Sequence, residues 1–271
     1  MPELPEVETT CNGIRPHCVG YRITNVVVRN PHLRWPISSD LISMTTGQTI
    51  RAISRRGKYI LVTLDHGTLI IHLGMSGRLH ILPNQTTPAK HDHVDILLDD
   101  GHCLRYNDAR RFGSMHWAEN PTKHFLLRKL GVEPLTEHYD SHYLYTHCQR
   151  RRIAIKPLLM NHHIVVGIGN IYASEALFLA GVHPEKIASS ISQAETKRIV
   201  QYSKDRLKVA IEKGGSTLKD FLHADGKPGY FQHHFHVYGR ANEPCHRCQT
   251  PIQKIVQAQR TTFFCPQCQG A

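Results

Sequence analysis

The last 27 residues contain Cys245-x2-Cys248, sixteen intervening residues, and Cys265-x2-Cys268. Two close pairs of soft thiolates at this spacing supply the four ligands of a tetrahedral Zn²⁺. Four sulfurs leave no open position for a catalytic water, so one structural ion is expected. Free or disulfide-bonded cysteines are the alternative, and so small a segment has too little core to fold unaided. The intervening PIQKIVQAQRTTFF has the pattern of a β-hairpin with Arg260 at its tip, either against a phosphate or in solvent.

The opposite end, MPELPEVETT, offers a different chemistry. Methionine before proline is commonly removed, which leaves Pro2 as a secondary amine able to attack an electrophilic carbon and form an iminium ion. Glu3 then stands beside it for proton transfer. The same residues also suit the first turn of an ordinary capped helix, where proline and carboxylates are favoured.

Between these ends lie several basic, glycine-punctuated motifs. Arg55, Arg56 and Lys58 flank Gly57, either as a basic turn or with Lys58 reaching into a cleft as a cation or general acid. HLGMSG (72–77) sets Met75 and Ser76 between glycines, as core packing or as a side chain inserted between bases. In KHDHVD (90–95), His91 and His93 flank Asp92; with zinc served by thiolates, phosphate contact or fold-supporting hydrogen bonds are favoured. DARRFG (108–113) is either an edge turn or a device in which Arg110 pairs with an unpaired base edge while Phe112 stacks. Arg150, Arg151, Arg152 and Lys156 form a basic cluster within or beside a helical segment, solvated or bound to nucleic acid. VVGIGNIYASEALF (165–178) places Gly167, Gly169 and Asn170 just before an amphipathic helix, whose first amides could bind phosphate, with Asn170 adding a donor.

These groups need positioning elements. YRITNVVVR, QTIRAISRR, KYILVTL, TLIIHLGM, RLHIL, HVDILL and HCLRYN read as antiparallel strands behind one helix starting near Pro5, a sandwich or barrel-like domain. From about residue 123 the pattern turns helical: KHFLLRKLG, HYLYTHCQRRRIAIKPLLM, GNIYASEALFLAG and QAETKRIVQYSKDRLKVAIEKGG. Residues 214–236 have no sustained periodicity and read as a loop or linker. The expected organisation is multidomain α+β, with domains over 1–130, 131–235 and 236–271.

The 271 residues carry 33 Lys plus Arg against 22 Asp plus Glu, a net charge of +11, and 21 histidines. Acidic partners are therefore favoured. No apolar run reaches the roughly 18–20 residues that cross a bilayer. The N-terminus lacks the basic and apolar regions of a signal peptide, so a cytosolic or nucleoid location is expected. Cys11, Cys18, Cys103 and Cys148 read as buried or incidental thiols.

Together, MPELPEVET, HLGMSG, KHDHVD, RRFG, VVGIGNIYASEALF, GGSTLKDFL with DGKPGYF, VYGR and the four cysteines resemble the bacterial formamidopyrimidine-DNA glycosylases over essentially the whole chain. The resemblance implies an N-terminal β-sandwich, a helix-two-turn-helix domain and a zinc β-hairpin. It also implies excision of 8-oxoguanine and ring-opened purines from duplex DNA, followed by β,δ-elimination at the abasic site. Pro2 would be the Schiff-base nucleophile, Glu3 its acid/base partner, and Lys58 a proton donor and phosphate contact. Met75, Arg110 and Phe112 would fill the gap left by the everted nucleotide, with Arg110 facing the orphan cytosine. His91 and Arg151 would contact DNA. Asn170 and Arg260 would grip phosphate, Arg260 also serving the final elimination, and the 214–230 stretch would cover the lesion base. The family often has proline where Ala109 stands, which points to a looser backbone there. No feature calls for a dimer, a protein partner or a redox cofactor. The rival within the superfamily is the endonuclease that prefers oxidised pyrimidines; the RRFG motif and DGKPGYF favour the purine branch. A zinc-containing DNA-binding module without catalysis is the rival from another class.

Overall fold

The computed structural model describes residues 1–215 and 235–270. The expected lesion-covering stretch lies, from Ser216 on, outside the described residues. Two compact units emerge, Met1–Lys129 with Lys213–Tyr230, and Leu130–Glu212 with Phe231–Ala271.

The first unit begins with α1 (Leu4–Cys18). Its buried apolar residues, Leu4, Val7, Cys11, Ile14 and Cys18, fall at alternating spacings of three and four, one stripe of an α-helix. Two four-stranded antiparallel sheets follow. One runs β1 (Ile23–Val28), β6 (Asp92–Leu98), β7 (His102–Asn107), β5 (Arg78–Pro83); the other β2 (Ala52–Arg56), β3 (Tyr59–Thr63), β4 (Thr68–His72), β8 (Ser114–Ala118). Val26, Val94, Ile96 and Leu104 from the first sheet share one core with Ile53, Ile60, Val62 and Ile71 from the second and with the α1 stripe. This is a sandwich, in which each fully buried aliphatic side chain contributes about 1.5–3 kcal/mol. The strand-rich segments of the sequence account for seven strands. β8, with the sequence SMHWA, and α2 (Asp40–Thr45), of six residues, lie outside those segments.

From about residue 123 the chain turns mostly helical, entering the second unit at Leu130, with two departures from the sequence pattern. KHFLLRKLG forms no α-helix: a 3₁₀ turn over Pro121–Lys123 is followed by isolated turns. Enclosed between Pro121 and Gly131, it is too short for a stable nucleus. HYLYTHCQRRRIAIKPLLM splits into α3 (Ser141–Gln149) and α4 (Ile155–Leu159). Pro157 would break a continuous helix but fits the first turn of α4. Arg150, Arg151 and Arg152 thus lie on the connection rather than on a helix face. α5 (Asn170–Ala180) follows Gly169 and ends at Gly181, whose φ of +66° supplies the left-handed cap. Its residues Ile171–Phe178 are all buried, so it is a core helix rather than an amphipathic one. α6 (Gln193–Glu212) packs against α3 and α5. Finally β9 (Gln253–Gln257) and β10 (Arg260–Phe264) form the hairpin. Among the described residues no helix is long and apolar enough to cross a membrane.

Candidate functional site

The first unit holds Pro2, Glu3, Lys58, Met75, His91, Arg110 and Phe112. Pro2 is buried immediately ahead of α1, and Glu3, 3 % exposed, is the residue that caps it. The Glu3 amide donates to Glu6 Oε2 at 2.9 Å in a capping box, so the helix signal and the Pro-Glu pair coexist. α1 is tied to the strand carrying the basic turn. Arg55 Nε donates to Glu8 Oε2 at 2.9 Å and its other arm reaches Gly57 O at 3.0 Å, while Arg15 donates to Ile53 O at 3.1 and 3.0 Å. Gly57, φ +58°, and Lys58 are the two central residues of the β2–β3 turn, a glycine-first arrangement that suits type II′. The reducing effect of Arg55 on the freedom of this turn gives half-buried Lys58 a defined origin. Gly215 also belongs to this neighbourhood: a Cβ there would meet Glu6 at 3.4 Å.

Two loops present the remaining groups. The turn after β4 carries Met75, and the loop after β7 carries Arg110, Arg111 and Phe112. Gly74, φ +62°, is packed so tightly against the Phe112 and Gly113 backbone that a side chain there would collide. Asp108, fully buried, joins the loops. Its Oδ1 accepts from Ser76 Oγ at 2.6 Å and the Arg110 amide at 3.3 Å; its Oδ2 accepts from the Gly113 amide at 2.8 Å and Tyr106 OH at 3.1 Å. Ser76 Oγ accepts from the Arg110 amide as well, at 3.1 Å. Arg111 adopts φ +57° inside this loop. The consequence is an exposed pair on a rigid base: the Arg110 guanidinium stacks over the Phe112 ring at 4.8 Å, and Phe112 stays 46 % exposed. With His32, Leu33 and Arg34 these residues line an open concavity.

The histidines of KHDHVD divide their roles. The His93 ring pairs with Asp108 O at 2.8 Å, a fold-supporting bond, whereas His91 gives its carbonyl to the Asp108 amide at 3.0 Å and keeps its ring half-buried. His72 supports the Met75 turn by accepting the Gly74 amide on Nδ1 at 3.0 Å. Burial, reinforced by the charges of Lys58 and Arg34, pulls the His72 pKa down to about 4, so it holds this acceptor at neutral pH.

The second unit holds Arg151, Asn170, Arg260 and the cysteines. Asn170 opens α5 with its carboxamide engaged at both ends: Nδ2 donates to Thr261 O at 2.8 Å, and Oδ1 accepts from Lys156 Nζ. Lys156, 1 % exposed, also donates to Thr262 Oγ1 at 2.7 Å. It is therefore a buried clasp, not part of a solvated cationic cluster. Arg260 follows the hairpin tip, which is Ala258-Gln259, both at positive φ (+45° and +62°). The strand alternation puts exposed Arg260 on the same face of the hairpin as Thr262. Arg151 is held half-buried by donating to His147 O at 2.7 Å.

The cysteine sulfurs all lie within 4.8 Å of one another. A tetrahedral ion with Zn–S bonds of about 2.3 Å requires sulfurs about 3.8 Å apart. The pairs Cys248–Cys265, Cys248–Cys268 and Cys245–Cys268 stand at 3.4, 3.5 and 3.9 Å, and the Arg247 and Cys268 amides donate to Cys245 and Cys265 sulfurs, so this donor set fits zinc. Buried Gln269 fastens the cluster to the chain after α5, accepting from the Cys265 amide at 2.9 Å and donating to Val182 O at 2.9 Å. Cys11, Cys18, Cys103 and Cys148 are buried thiols; desolvation pushes those of Cys11 and Cys18 up to about 12.

Among the buried charged residues that escaped the sequence patterns, three hold candidate site elements together. Asp108 stands in DARRFG without an evident task, and Lys156 hides among arginines. Glu175, fully buried in α5, accepts from three consecutive amides, His236, Val237 and Tyr238, at 2.9–3.0 Å. Burial raises its pKa, but the His236 ring and these amides outweigh it, and the carboxyl is held below its usual range.

Residues 1–115 match the formamidopyrimidine-DNA glycosylase N-terminal domain, 130–222 the H2TH domain of the same family, and 242–270 the zinc finger found in FPG and IleRS. The formamidopyrimidine-DNA glycosylase of Thioalkalivibrio sulfidiphilus is 51 % identical over 270 residues, covering 99 % of this chain and 100 % of its own. Among solved structures, the Thermus thermophilus MutM (FPG) protein is similar with TM-score 0.90 at 36 % identity, covering 99 % of both chains. The Lactococcus lactis Fpg in complex with abasic-site DNA is similar with TM-score 0.92 at 34 % identity, covering 99 % of this chain and 100 % of that one.

Proposed function

The chain belongs to the formamidopyrimidine-DNA glycosylase family, and from that membership we propose how its own residues divide the reaction. It removes oxidised purines from duplex DNA and cleaves the abasic strand, glycosylase and lyase in one polypeptide with one structural zinc. The observation that carries the assignment of residues is the clasp of α1 onto the Lys58 turn. Through Glu8 and Arg55 it ties the element bearing Pro2 and Glu3 to the one bearing a primary ammonium.

With Met1 removed, the Pro2 nitrogen attacks C1′ of the everted nucleotide as the bond from C1′ to the base breaks; the base departs with a proton. Glu3 delivers a proton to O4′ as the C1′–O4′ bond breaks, which opens the sugar and leaves the Pro2 nitrogen doubly bonded to C1′ as an iminium, and Lys58 contacts phosphate and donates a proton in the lyase phase. The iminium at C1′ acidifies the C2′ hydrogen, and its removal expels the 3′ phosphate. A second elimination frees the 5′ phosphate, with Arg260 serving that step. The product is a one-nucleotide gap with a phosphate at each end. Met75, Arg110 and Phe112 occupy the vacated space, Arg110 against the orphan cytosine. His91, Arg151 and Asn170 contact the backbone. Zinc, when bound, stabilises the hairpin that carries Arg260.

Borohydride reduction during turnover is expected to trap a covalent adduct whose mass-mapped attachment is the Pro2 nitrogen. A retained Met1, or an adduct on a lysine alone, overturns the assignment. Release of thymine glycol far faster than 8-oxoguanine opposite cytosine would move the substrate to oxidised pyrimidines.

A further inference from the structure

We propose that Asp108 is a positioning residue that registers Met75 with Arg110 and Phe112 as one wedge and thereby sets selectivity for the base opposite the lesion. The inference rests on the wedge role given to those three side chains above. Asp108 itself is fully buried and touches no substrate.

The argument is one of hydrogen-bond supply. The loop 109–113 exposes its side chains and cannot fix them by packing; Ala109, Arg110, Arg111 and Phe112 are all exposed. Its shape therefore depends on where its backbone groups are bound. The two Asp108 oxygens hold the start of the exposed stretch at the Arg110 amide and its end at the Gly113 amide, 3.3 and 2.8 Å away. The carbonyl of Asp108 accepts the Arg111 amide at 3.2 Å, closing the turn between them. The link to the second loop is Ser76, whose hydroxyl donates to Asp108 Oδ1 at 2.6 Å and accepts from the Arg110 amide at 3.1 Å. Met75 precedes Ser76 directly, so one carboxylate fixes both the residue beside Met75 and the residue that reads the orphan base.

A carboxylate is needed rather than an amide. Both oxygens accept, one from a hydroxyl and a backbone amide, the other from a backbone amide and the Tyr106 hydroxyl. With asparagine, one orientation turns the NH₂ toward the Gly113 amide and leaves that donor without its acceptor; the other turns it toward Ser76 and Arg110, so that the Ser76 hydroxyl loses its acceptor and the Arg110 amide keeps only Ser76 Oγ. Arg110 is then free to sample positions from which cytosine and adenine are read alike.

The test compares excision of 8-oxoguanine opposite cytosine and opposite adenine for Asp108→Asn, Ser76→Ala, Tyr106→Phe and Arg110→Ala. Cleavage of a single-stranded abasic site, which needs no wedge, is followed in parallel. Asp108→Asn and Ser76→Ala are expected to lower kcat/KM opposite cytosine about tenfold or more and to narrow the cytosine-to-adenine ratio, with single-strand cleavage unchanged. Tyr106→Phe, which leaves both loops bound, is expected to keep the ratio. Ser76→Ala guards against a folding failure of Asp108→Asn, because it severs only the link between loops. An unchanged ratio in both Asp108→Asn and Ser76→Ala, while Arg110→Ala alters it, overturns the proposal and spares the wedge. An unchanged ratio in Arg110→Ala overturns the wedge reading beneath it. Equal losses on duplex and single strand reduce Asp108 to a structural residue and overturn the proposal too.

Discussion

The two units build their proposed DNA contacts around buried charges of opposite sign. In the first, the hub is an anion, Asp108, and it belongs to the loop it organises; it binds that loop's amides and lets exposed side chains ride on a fixed backbone. In the second, the hub is a cation, Lys156, 106 residues away from the Thr262 hydroxyl it holds, and it binds side chains of two different elements. A local hub shapes a turn, whereas a remote one fastens a hairpin to a helix start. The first tolerates weakening by small steps; the second fails as a unit, because β9 and β10 have little core of their own beyond the zinc cluster and its apolar neighbours.

This contrast can be broken or sharpened by experiment, beginning with the largest effect. Replacing Cys265 by serine is expected to remove the tightly held zinc, one ion per chain, and to weaken duplex binding at least hundredfold, since structural zinc contributes on the order of 10 kcal/mol to such modules. Metal content and a salt-controlled binding curve check it; full affinity without metal would show that the hairpin stands without its cluster. Lys156→Met follows, leaving the buried Thr262 hydroxyl and the half-buried Asn170 carboxamide oxygen without their donor, and is expected to cost about 2–4 kcal/mol in urea unfolding and to weaken DNA binding along with stability. Ser76→Ala in the first unit should cost less stability than Lys156→Met; the reverse order would dissolve the distinction between hubs.

Acid comes next and strikes both units. For His72 the folded pKa of about 4 lies below the ordinary 6.5, so its contribution is complete above 6.5 and is lost as pH falls toward 4. For Glu175 the lowered carboxyl gives stability that is complete above the ordinary carboxylate range and declines as pH falls through the folded value. Denaturant midpoints measured against pH should therefore fall in two windows. Glu175→Gln should erase only the lower, and survival of both would remove Glu175 from the account. The smallest effect belongs to the hairpin tip. Gln259→Gly, at φ +62°, is expected to raise stability by about 0.5–1 kcal/mol, seen as a modest rise in Tm.

Much of the fold was legible because period and punctuation carry it. The α1 stripe, the alternating strands, Gly181 after α5 and the paired cysteines are local signals whose physical causes lie within a few residues. The candidate site residues were named through motifs, and their types suit the chemistry. What remained hidden was how they are held. Lys156 in a run of arginines looks like another surface cation; nothing nearby announces that Thr262 and Asn170 will surround it. Asp108 is overshadowed by the guanidiniums that follow it, although a carboxylate opening an otherwise basic exposed loop was the available clue. Pro157 likewise marked the break between α3 and α4, but its consequence depended on where the second helix starts.

The three amides converging on Glu175 have a bearing on how the molecule tolerates damage. His236, Val237 and Tyr238 are fastened to α5 by bonds to a carboxylate that arrives earlier in the chain. The address of the zinc module is thus written in the helix that receives it. A chain produced as two pieces, one ending at Gly215 and one beginning at Phe235, should reassemble by the same address and stay together through gel filtration.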